Sequence, residues 1–198
     1  MDCLVESLFV CPLIRTYIQE DTNVLNDIKD FSVPSKVTDM RVLEKYPDIK
    51  KIILDKFYAV ADKAGYAKRD YVITTSWITW TSNGDISQIH NHRNSFWSGV
   101  YYFQDEYPEG SATIQFFNPL EKLSDVVMMG SDLTERNPIN SSGWEFNPEP
   151  KQLIFFPSYL EHQVMKHTID KIRCSLAFNI MPMGKWGDGD STFDTQWI

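Results

Sequence analysis

Hydrophobic residues in the first part of the chain recur with the period of an α-helix. The apolar positions are Ile49, Ile52, Ile53, Phe57, Val60, Ala61 and Ala64. Their spacings of three and four place them on one face, which predicts an amphipathic helix over residues 48–64. Pro47 lies just before this stretch, and Gly65 can end it in the left-handed conformation. We expect this helix to pack on a sheet and to carry no chemistry.

From residue 71 onward the pattern changes to short runs rich in β-branched and aromatic residues, separated by turns that contain Gly, Pro, Asn or Asp. Such runs predict β-strands. The predicted strands cover residues 72–81, 96–103, 112–117, 153–156, 163–167 and 172–180. The polar segment 120–150 predicts a long loop, and the Gly- and Asp-rich tail after Met181 is expected to be irregular.

The segment before the helix gives weaker signals. Residues 3–18 predict one or two strands interrupted at Pro12, residues 21–30 a short helix, and residues 32–36 a loop. Helices followed by many short strands indicate an α+β protein with an antiparallel double-sheet jelly roll, also called a double-stranded β-helix.

We expect a single domain over residues 1–198, because this length suits one core. The N-terminal strand and helices of residues 1–70 would pack on a jelly-roll core at residues 71–181. An irregular tail would follow at residues 182–198.

Composition and charge narrow the range of partners. The formal charge of −8 argues against bulk binding to nucleic acid or to an anionic membrane surface. Three cysteines, Cys3, Cys11 and Cys174, show no framework spacing, which is typical of a reducing compartment. The apolar stretch 8–14 is too short to span a membrane and lacks the basic lead-in of a signal peptide. We therefore expect a cytoplasmic protein.

Candidate chemistry begins with two histidines one residue apart, His90 and His92. In a strand, side chains at i and i+2 lie on one face roughly 6–7 Å apart, so both rings can meet one small ligand. Imidazole suits Zn, Cu, Fe and Ni, which makes a transition metal a candidate. A third histidine, His162, follows a predicted strand about seventy residues later. Distant strands can be neighbours in a jelly roll, so His162 can share this site.

The strand predicted at 172–180 alternates between two kinds of face. Arg173, Ser175, Ala177 and Asn179 share one face, and Cys174, Leu176, Phe178 and Ile180 share the other, which is wholly apolar. A guanidinium that faces the interior needs a partner, since a buried unpaired charge is costly. A carboxylate bound through two hydrogen bonds is the natural partner.

Five motifs follow one another along the chain. They are His-x-His at 90–92, Ser-Gly-Val-Tyr-Tyr at 98–102, Phe-Pro-Ser-x-x-x-His-x-Val at 156–164, Arg-x-Ser at 173–175 and Phe-Asn at 178–179. Their combination resembles the 2-oxoglutarate- and Fe(II)-dependent dioxygenases, and most of all a small oxygenase family of marine bacteria and their phages. Glu-Ser-Leu-Phe at 6–9 and Ser-Trp at 76–77 also resemble that family, so the similarity covers most of the chain.

The resemblance implies an iron site. His90 and His162 match the two iron-binding histidines of that superfamily, and His92 stands where the common pattern places a carboxylate. Non-haem iron oxygenases usually use two histidines and one carboxylate. We keep His92 as the third ligand, with Asp85 and Glu161 as alternative carboxylates.

The resemblance also implies a 2-oxoglutarate pocket. Arg173 matches the residue that pairs with the far carboxylate, Ser175 matches the hydroxyl beside it, and Tyr102 matches a tyrosine that can hydrogen-bond the same group. The expected reaction hydroxylates a small-molecule or peptidyl substrate with release of succinate and carbon dioxide. The expected location is the cytoplasm, or the host cytoplasm for a phage protein, and a homodimer is one option for the oligomeric state.

Two alternatives stay open. The spacing Gly84-x5-His90-x-His92 and Pro157-x4-His162 also fits parts of a cupin motif, which would suit a metal-dependent dioxygenase or isomerase without 2-oxoglutarate. The cupin glutamate is missing, because residues 95–97 are Ser, Phe and Trp. A non-catalytic jelly-roll binding module is the third reading, and it leaves all three histidines unexplained.

Overall fold

The computed structural model describes residues 10–19, 39–120, 134–138 and 140–195. The elements within these ranges are β1 (Ile14–Tyr17), α1 (Pro47–Lys63), β2 (Tyr71–Thr81), β3 (Trp97–Tyr101), β4 (Ile114–Phe117), β5 (Gly143–Phe146), β6 (Gln152–Pro157), β7 (His162–Val164), β8 (Arg173–Pro182), β9 (Gly184–Trp186) and β10 (Phe193–Thr195). Two 3-10 turns, Val42–Lys45 and Gly189–Ser191, complete them. The described part of the chain is therefore mostly β-sheet with one long helix.

The helix α1 is the element that the sequence predicted at residues 48–64. Pro47 occupies its first turn, where a missing N–H costs nothing, and Gly65 ends it at a φ of 72°. Its buried stripe packs on one face of the larger sheet. Phe57 is the centre of this contact, with its ring 5.0–5.8 Å from the rings of Tyr71, Trp97 and Phe155.

Two antiparallel sheets form the body of the protein. One has five strands in the order β1-β6-β3-β8-β2, and the other has three in the order β5-β4-β7. Residues 87–90 extend the smaller sheet, since Ser87 and His90 hydrogen-bond to Val164 and His162 of β7. Between β2 and β8 the chain crosses repeatedly from one sheet to the other, with β4 and β5 together in the smaller one, which brings segments far apart in sequence side by side.

The larger sheet has two different faces. Cys174, Leu176, Phe178 and Ile180 of β8 belong to the core under α1, as their alternation predicted. The opposite face, here called the inner face, carries Arg173, Ser175, Ala177 and Asn179. It also carries Val100, Tyr102, Ile154 and Phe156, which pack with Ile114 and Phe116 of the smaller sheet. The inner face lies between the two sheets.

A β-bulge in β2 decides which of its residues belong to the inner face. Ile73 pairs with Ile180, but the next registered pair is Thr75 with Asn179, so Thr74 is an extra residue. Beyond it, Trp77 pairs with Ala177 and Thr81 with Arg173. Because paired residues of an antiparallel ladder share a face, Thr75, Trp77, Thr79 and Thr81 all lie on the inner face.

The six predicted strands are present, with ends within three residues of the predicted ones. Two sequence predictions were wrong. The segment predicted as a loop at 120–150 contains β5, and the tail predicted to be irregular contains the β9–β10 hairpin. The helix predicted at 21–30 and the loop at 32–36 lie outside the described residues. Within the described ranges, no helix is long and apolar enough to cross a membrane.

Candidate metal centre

Three of the four histidines of the chain come together between the sheets. His90, His92 and His162 each offer one ring nitrogen, and these atoms all lie within 4.8 Å of one another. The ring of His90 is 4.4 Å from that of His162 and 5.2 Å from that of His92, and the last two rings are 5.2 Å apart. The rings therefore converge on one point, as a shared ligand requires.

Backbone hydrogen bonds of the same kind position His90 and His162. Their backbones exchange two hydrogen bonds, with N···O distances of 3.0 and 2.9 Å, so the two side chains stand side by side. In each ring, Nδ1 contacts the carbonyl oxygen two residues earlier, Gln88 O at 2.8 Å and Leu160 O at 2.9 Å. A carbonyl only accepts, so Nδ1 carries the proton and Nε2 keeps a lone pair for a metal.

His92 is positioned differently. Strand alternation was expected to align it with His90, but His92 lies beyond the paired segment, in a turn. Its backbone N–H donates to Ser158 O at 2.9 Å, and its ring centroid is 5.8 Å from that of Trp77. The ring reaches the cluster through these tertiary contacts.

Burial keeps two of the rings uncharged. Burial, together with a smaller effect of the neighbouring imidazoles, lowers the pKa of His92 and of His162 to about 4. These rings are therefore neutral at pH 7, which is the form that binds a metal.

The cluster contains no carboxylate among the described residues. Asp85 accepts a hydrogen bond from Ser82 N at 2.8 Å, and Glu161 is exposed. Neither alternative carboxylate therefore belongs to the cluster. Three neutral imidazoles are a donor set that iron, zinc, copper and nickel accept, so the residues present fit a transition-metal ion.

Arg173 lies on the same inner face in an unusual setting. The residue is only 2% exposed, and no carboxylate of the described residues pairs with it. Its Nη2 donates to the Tyr102 hydroxyl at 3.2 Å and its Nη1 to the Ser175 hydroxyl at 3.3 Å. Its Nε has no hydrogen-bond partner in the described part of the chain, and its Cζ lies 5.1 Å from the centre of the Tyr102 ring. A buried cation held by two hydroxyls is suited to an incoming anion.

The guanidinium and the imidazole cluster are separated along the length of β8. Trp77, which contacts His92, is opposite Ala177, four residues from Arg173 on β8. Four residues of a strand span about 13 Å between Cα atoms. A long arginine side chain and a short diacid can bridge that interval.

Sequence reasoning missed three features of this region. The place of Trp77 beside His92 was not predicted, because the bulge that turns it to the inner face has no clear signal in the sequence. The buried side chains of Ser98, Ser158 and Asn179 and the half-buried one of Thr75 form a hydrogen-bonded chain with distances of 2.7 to 2.9 Å. His167, the fourth histidine, is fully buried, with one ring nitrogen accepting from Ala112 N and the other bonded to Lys171 O.

Comparison with solved structures shows the fold. The non-haem alpha-ketoglutarate-dependent epimerase SnoN from nogalamycin biosynthesis is 9% identical, with a TM-score of 0.61 over 89% of this chain and 81% of that chain. A Pseudomonas putida prolyl-4-hydroxylase is 12% identical, with a TM-score of 0.55 over 88% of this chain and 89% of that chain. Iron-bound HygX from Streptomyces hygroscopicus is 8% identical, with a TM-score of 0.57 over 87% of this chain and 82% of that chain. HygX has also been crystallised with nickel and 2-oxoglutarate.

Comparison of the sequence with family models shows the family. No curated protein matches the sequence. A family model described as "Putative 2OG-Fe(II) oxygenase" matches residues 75–179, more than half of the chain. The matched range runs from β2 to β8 and includes all three clustered histidines and Arg173. The chain therefore belongs to the 2OG-Fe(II) oxygenase family.

Proposed function

We propose that this protein is an Fe(II)- and 2-oxoglutarate-dependent oxygenase built on a double-stranded β-helix. The observation that carries the proposal is the buried Arg173, held by Tyr102 and Ser175 on the same inner face as the cluster of His90, His92 and His162. A metal-binding cluster alone would also suit a cupin-type enzyme. A buried cation that no carboxylate of the described residues pairs with adds a second anchor, one that suits the far end of a diacid.

Each residue has a definite role in this proposal. The three histidines would hold ferrous iron, whose chemistry when bound is the activation of dioxygen coupled to decarboxylation of 2-oxoglutarate to succinate and carbon dioxide. Arg173 would bind the far carboxylate of 2-oxoglutarate, and the hydroxyls of Ser175 and Tyr102 would orient it. The apolar side chains between the sheets would keep water out.

The charge of the site favours this co-substrate. Three neutral imidazoles leave the full double charge on a ferrous ion, and the guanidinium adds a positive charge nearby. A ketoacid dianion complements both. Burial raises the pKa of Tyr102, so its hydroxyl stays protonated and can donate to a carboxylate.

The proposed reaction is hydroxylation of a C–H bond in a small-molecule or peptidyl substrate. Support comes from the family match and from a prolyl-4-hydroxylase among the fold relatives, which also include an epimerase. Cytoplasmic location, the absence of nucleic-acid partners, the homodimer and the likeness to phage and marine bacterial sequences stay predictions.

Anaerobic titration tests the proposal. Addition of Fe(II) and then 2-oxoglutarate should produce a weak visible charge-transfer band, and Arg173→Met should weaken 2-oxoglutarate binding about 30- to 150-fold. This range corresponds to the 2–3 kcal/mol of lost charge-assisted hydrogen bonds. Lys171→Met is the matched control, because it removes an exposed cation two residues away that pairs with Glu106.

Two results of this titration would contradict the proposal. Iron binding without any response to 2-oxoglutarate, or an equal response in wild type and Arg173→Met, would favour the cupin-type reading.

A further inference from the structure

The three imidazoles of the cluster are not supported equally. His90 and His162 each donate from Nδ1 to a backbone carbonyl, at 2.8 and 2.9 Å. The ring of His92 has no such bond: its nitrogens contact no hydrogen-bond acceptor or donor among the described residues. Two rings are therefore fixed in rotation and tautomer by the backbone, and the third is not.

This difference bears on metal binding. A hydrogen bond to the outer nitrogen of a metal-bound imidazole orients the ring and raises its basicity, and loss of such a partner typically costs 10- to 100-fold in metal affinity. His90 and His162 carry this support within the protein. His92 does not, so its bond to a metal is the weakest of the three.

The position of His92 depends on two other contacts. Its backbone N–H donates to Ser158 O at 2.9 Å. The Ser158 side chain is tied at 2.7 Å to Ser98, which donates to Asn179 Oδ1 at 2.7 Å. These bonds fix the backbone of His92 to the larger sheet, yet they leave its ring free to rotate about the side-chain bonds.

Trp77 provides the ring contact. Its indole is partly buried on the inner face of β2, and its centroid is 5.8 Å from that of His92 with an interplanar angle of 55°. Its backbone is held in the β2–β8 ladder opposite Ala177. The flat indole of Trp77, held on a rigid strand, limits the rotation of the His92 ring by contact. This contact compensates only in part for the missing hydrogen bond.

We infer that His92 is the exchangeable ligand of the metal centre and that Trp77 is the positioning residue that holds its ring at the metal. This inference rests on the proposed function only in requiring that the cluster binds a divalent metal. With a metal bound, His90 and His162 would retain the ion when His92 is released, and the place of the His92 ring would then be available to an oxygen or nitrogen atom of an incoming molecule.

Cobalt(II) is the probe, because its visible absorption reports the number and type of ligands without any turnover. The full-length protein is titrated with Co(II) against a chelator, as wild type and as His90→Ala, His92→Ala, His162→Ala and Trp77→Leu. Trp80→Leu is the matched control, since Trp80 lies on the same strand but packs on the opposite face. Circular dichroism and the unfolding midpoint confirm that each variant folds.

His92→Ala should raise the Co(II) dissociation constant tenfold or less, and His90→Ala and His162→Ala should each raise it a hundredfold or more. The visible spectrum of His92→Ala should change, and added imidazole should restore it. Trp77→Leu should shift the spectrum towards that of His92→Ala, and Trp80→Leu should leave it as in wild type.

Equal losses in all three histidine variants would overturn the assignment of His92 as the exchangeable ligand. A wild-type spectrum in Trp77→Leu would overturn the role of Trp77. If wild type fails to bind Co(II), the metal centre itself and the proposed function are wrong, which is a different result from either of these.

Discussion

At the scale of single residues, one backbone carbonyl decides which nitrogen of a histidine is free to bind. The carbonyls of Gln88 and Leu160 fix the proton on Nδ1 of His90 and His162. No pattern in the sequence predicts these hydrogen bonds, because each depends on the local path of the backbone. The identity of the three histidines was readable from the sequence, and their tautomers were not.

The lowered pKa values predict how stability depends on pH. Since the pKa of His92 and of His162 is about 4 in the folded protein, against an ordinary value of 6.5, the unfolded chain binds more protons between these values. The contribution of these residues to stability is therefore complete above pH 6.5 and is lost as the pH falls towards 4. Urea unfolding of the metal-free protein between pH 6.5 and pH 4 should show this loss of stability.

The matched control for this dependence is the His92→Gln, His162→Gln double variant. It should have a flatter stability profile between pH 4 and 6.5, because glutamine does not titrate. An unchanged slope would show that other groups cause the pH dependence.

A buried amide gives a second prediction at this scale. Gln152 is 0% exposed, and among the residues that the structure describes neither its Nε2 nor its Oε1 has a hydrogen-bond partner. A buried polar group without a partner costs about 1–3 kcal/mol, so Gln152→Leu should raise the free energy of unfolding by about 1 kcal/mol. Urea denaturation measures the change.

Gln115→Leu is the control for the amide, because the Gln115 side chain accepts a hydrogen bond from Gln163 at 2.7 Å. It should bring no gain in stability. A loss of stability in Gln152→Leu would show that its amide has a partner in solution.

At the scale of elements, α1 and six strands were predictable, including the short β4 and β7, whose predicted runs extend beyond the paired residues, and β5, β9 and β10 were not. β8 shows why: ten residues alternate between an apolar face and a face with Arg173, Ser175 and Asn179, which is enough to assign both faces. β5 has four residues, and β9 and β10 have three each. So few residues cannot establish a period, and pairing with neighbours alone makes them strands.

Close packing of β3 on its neighbours predicts a sensitive glycine. A Cβ added at Gly99 would lie 2.3 Å from Cζ of Phe178 and 2.7 Å from the backbone oxygen of Ile154. Since the backbone oxygen can move only with its strand, Gly99→Ala should lower the free energy of unfolding by about 2–3 kcal/mol. Equilibrium denaturation gives this value.

A double-mutant cycle tests the reason for this loss. Phe178→Leu removes one of the two clashing groups, so the loss from Gly99→Ala should be smaller in that background. Strictly additive effects would show that the Phe178 ring is not the obstacle.

At the scale of the whole molecule, the site joins the two sheets. His162 and His90 belong to the smaller sheet, and Arg173, Tyr102 and Trp77 to the larger one. A molecule bound to both groups connects the two layers in the folded state only. Ligands that bind the folded protein alone stabilise it, by about 2.7 kcal/mol at a free concentration one hundred times the dissociation constant.

Thermal unfolding should therefore respond to the ligands in order. Co(II) at one hundred times its dissociation constant should raise the midpoint by roughly 5–11 °C, on the usual scale of 2–4 °C per kcal/mol for this size. 2-Oxoglutarate should then add a further increase in wild type, and none in Arg173→Met. An increase from 2-oxoglutarate without metal, or an equal one in Arg173→Met, would contradict the proposed arrangement.

The bulge at Thr74 has a consequence for how this fold tolerates insertions and deletions. One extra residue shifts the phase of β2, so that Trp77 and Thr79 point inward and Ser76 and Ile78 point towards α1. Deleting Thr74 would remove the bulge and leave Thr75 opposite Asn179, so the later residues of β2 would keep their faces, whereas one residue inserted beyond the bulge would reverse them and exchange aliphatic core residues for threonines. Loss of the Thr74 codon should therefore be milder than gain of one codon further along β2, because the gain reverses every later side chain of the strand at once.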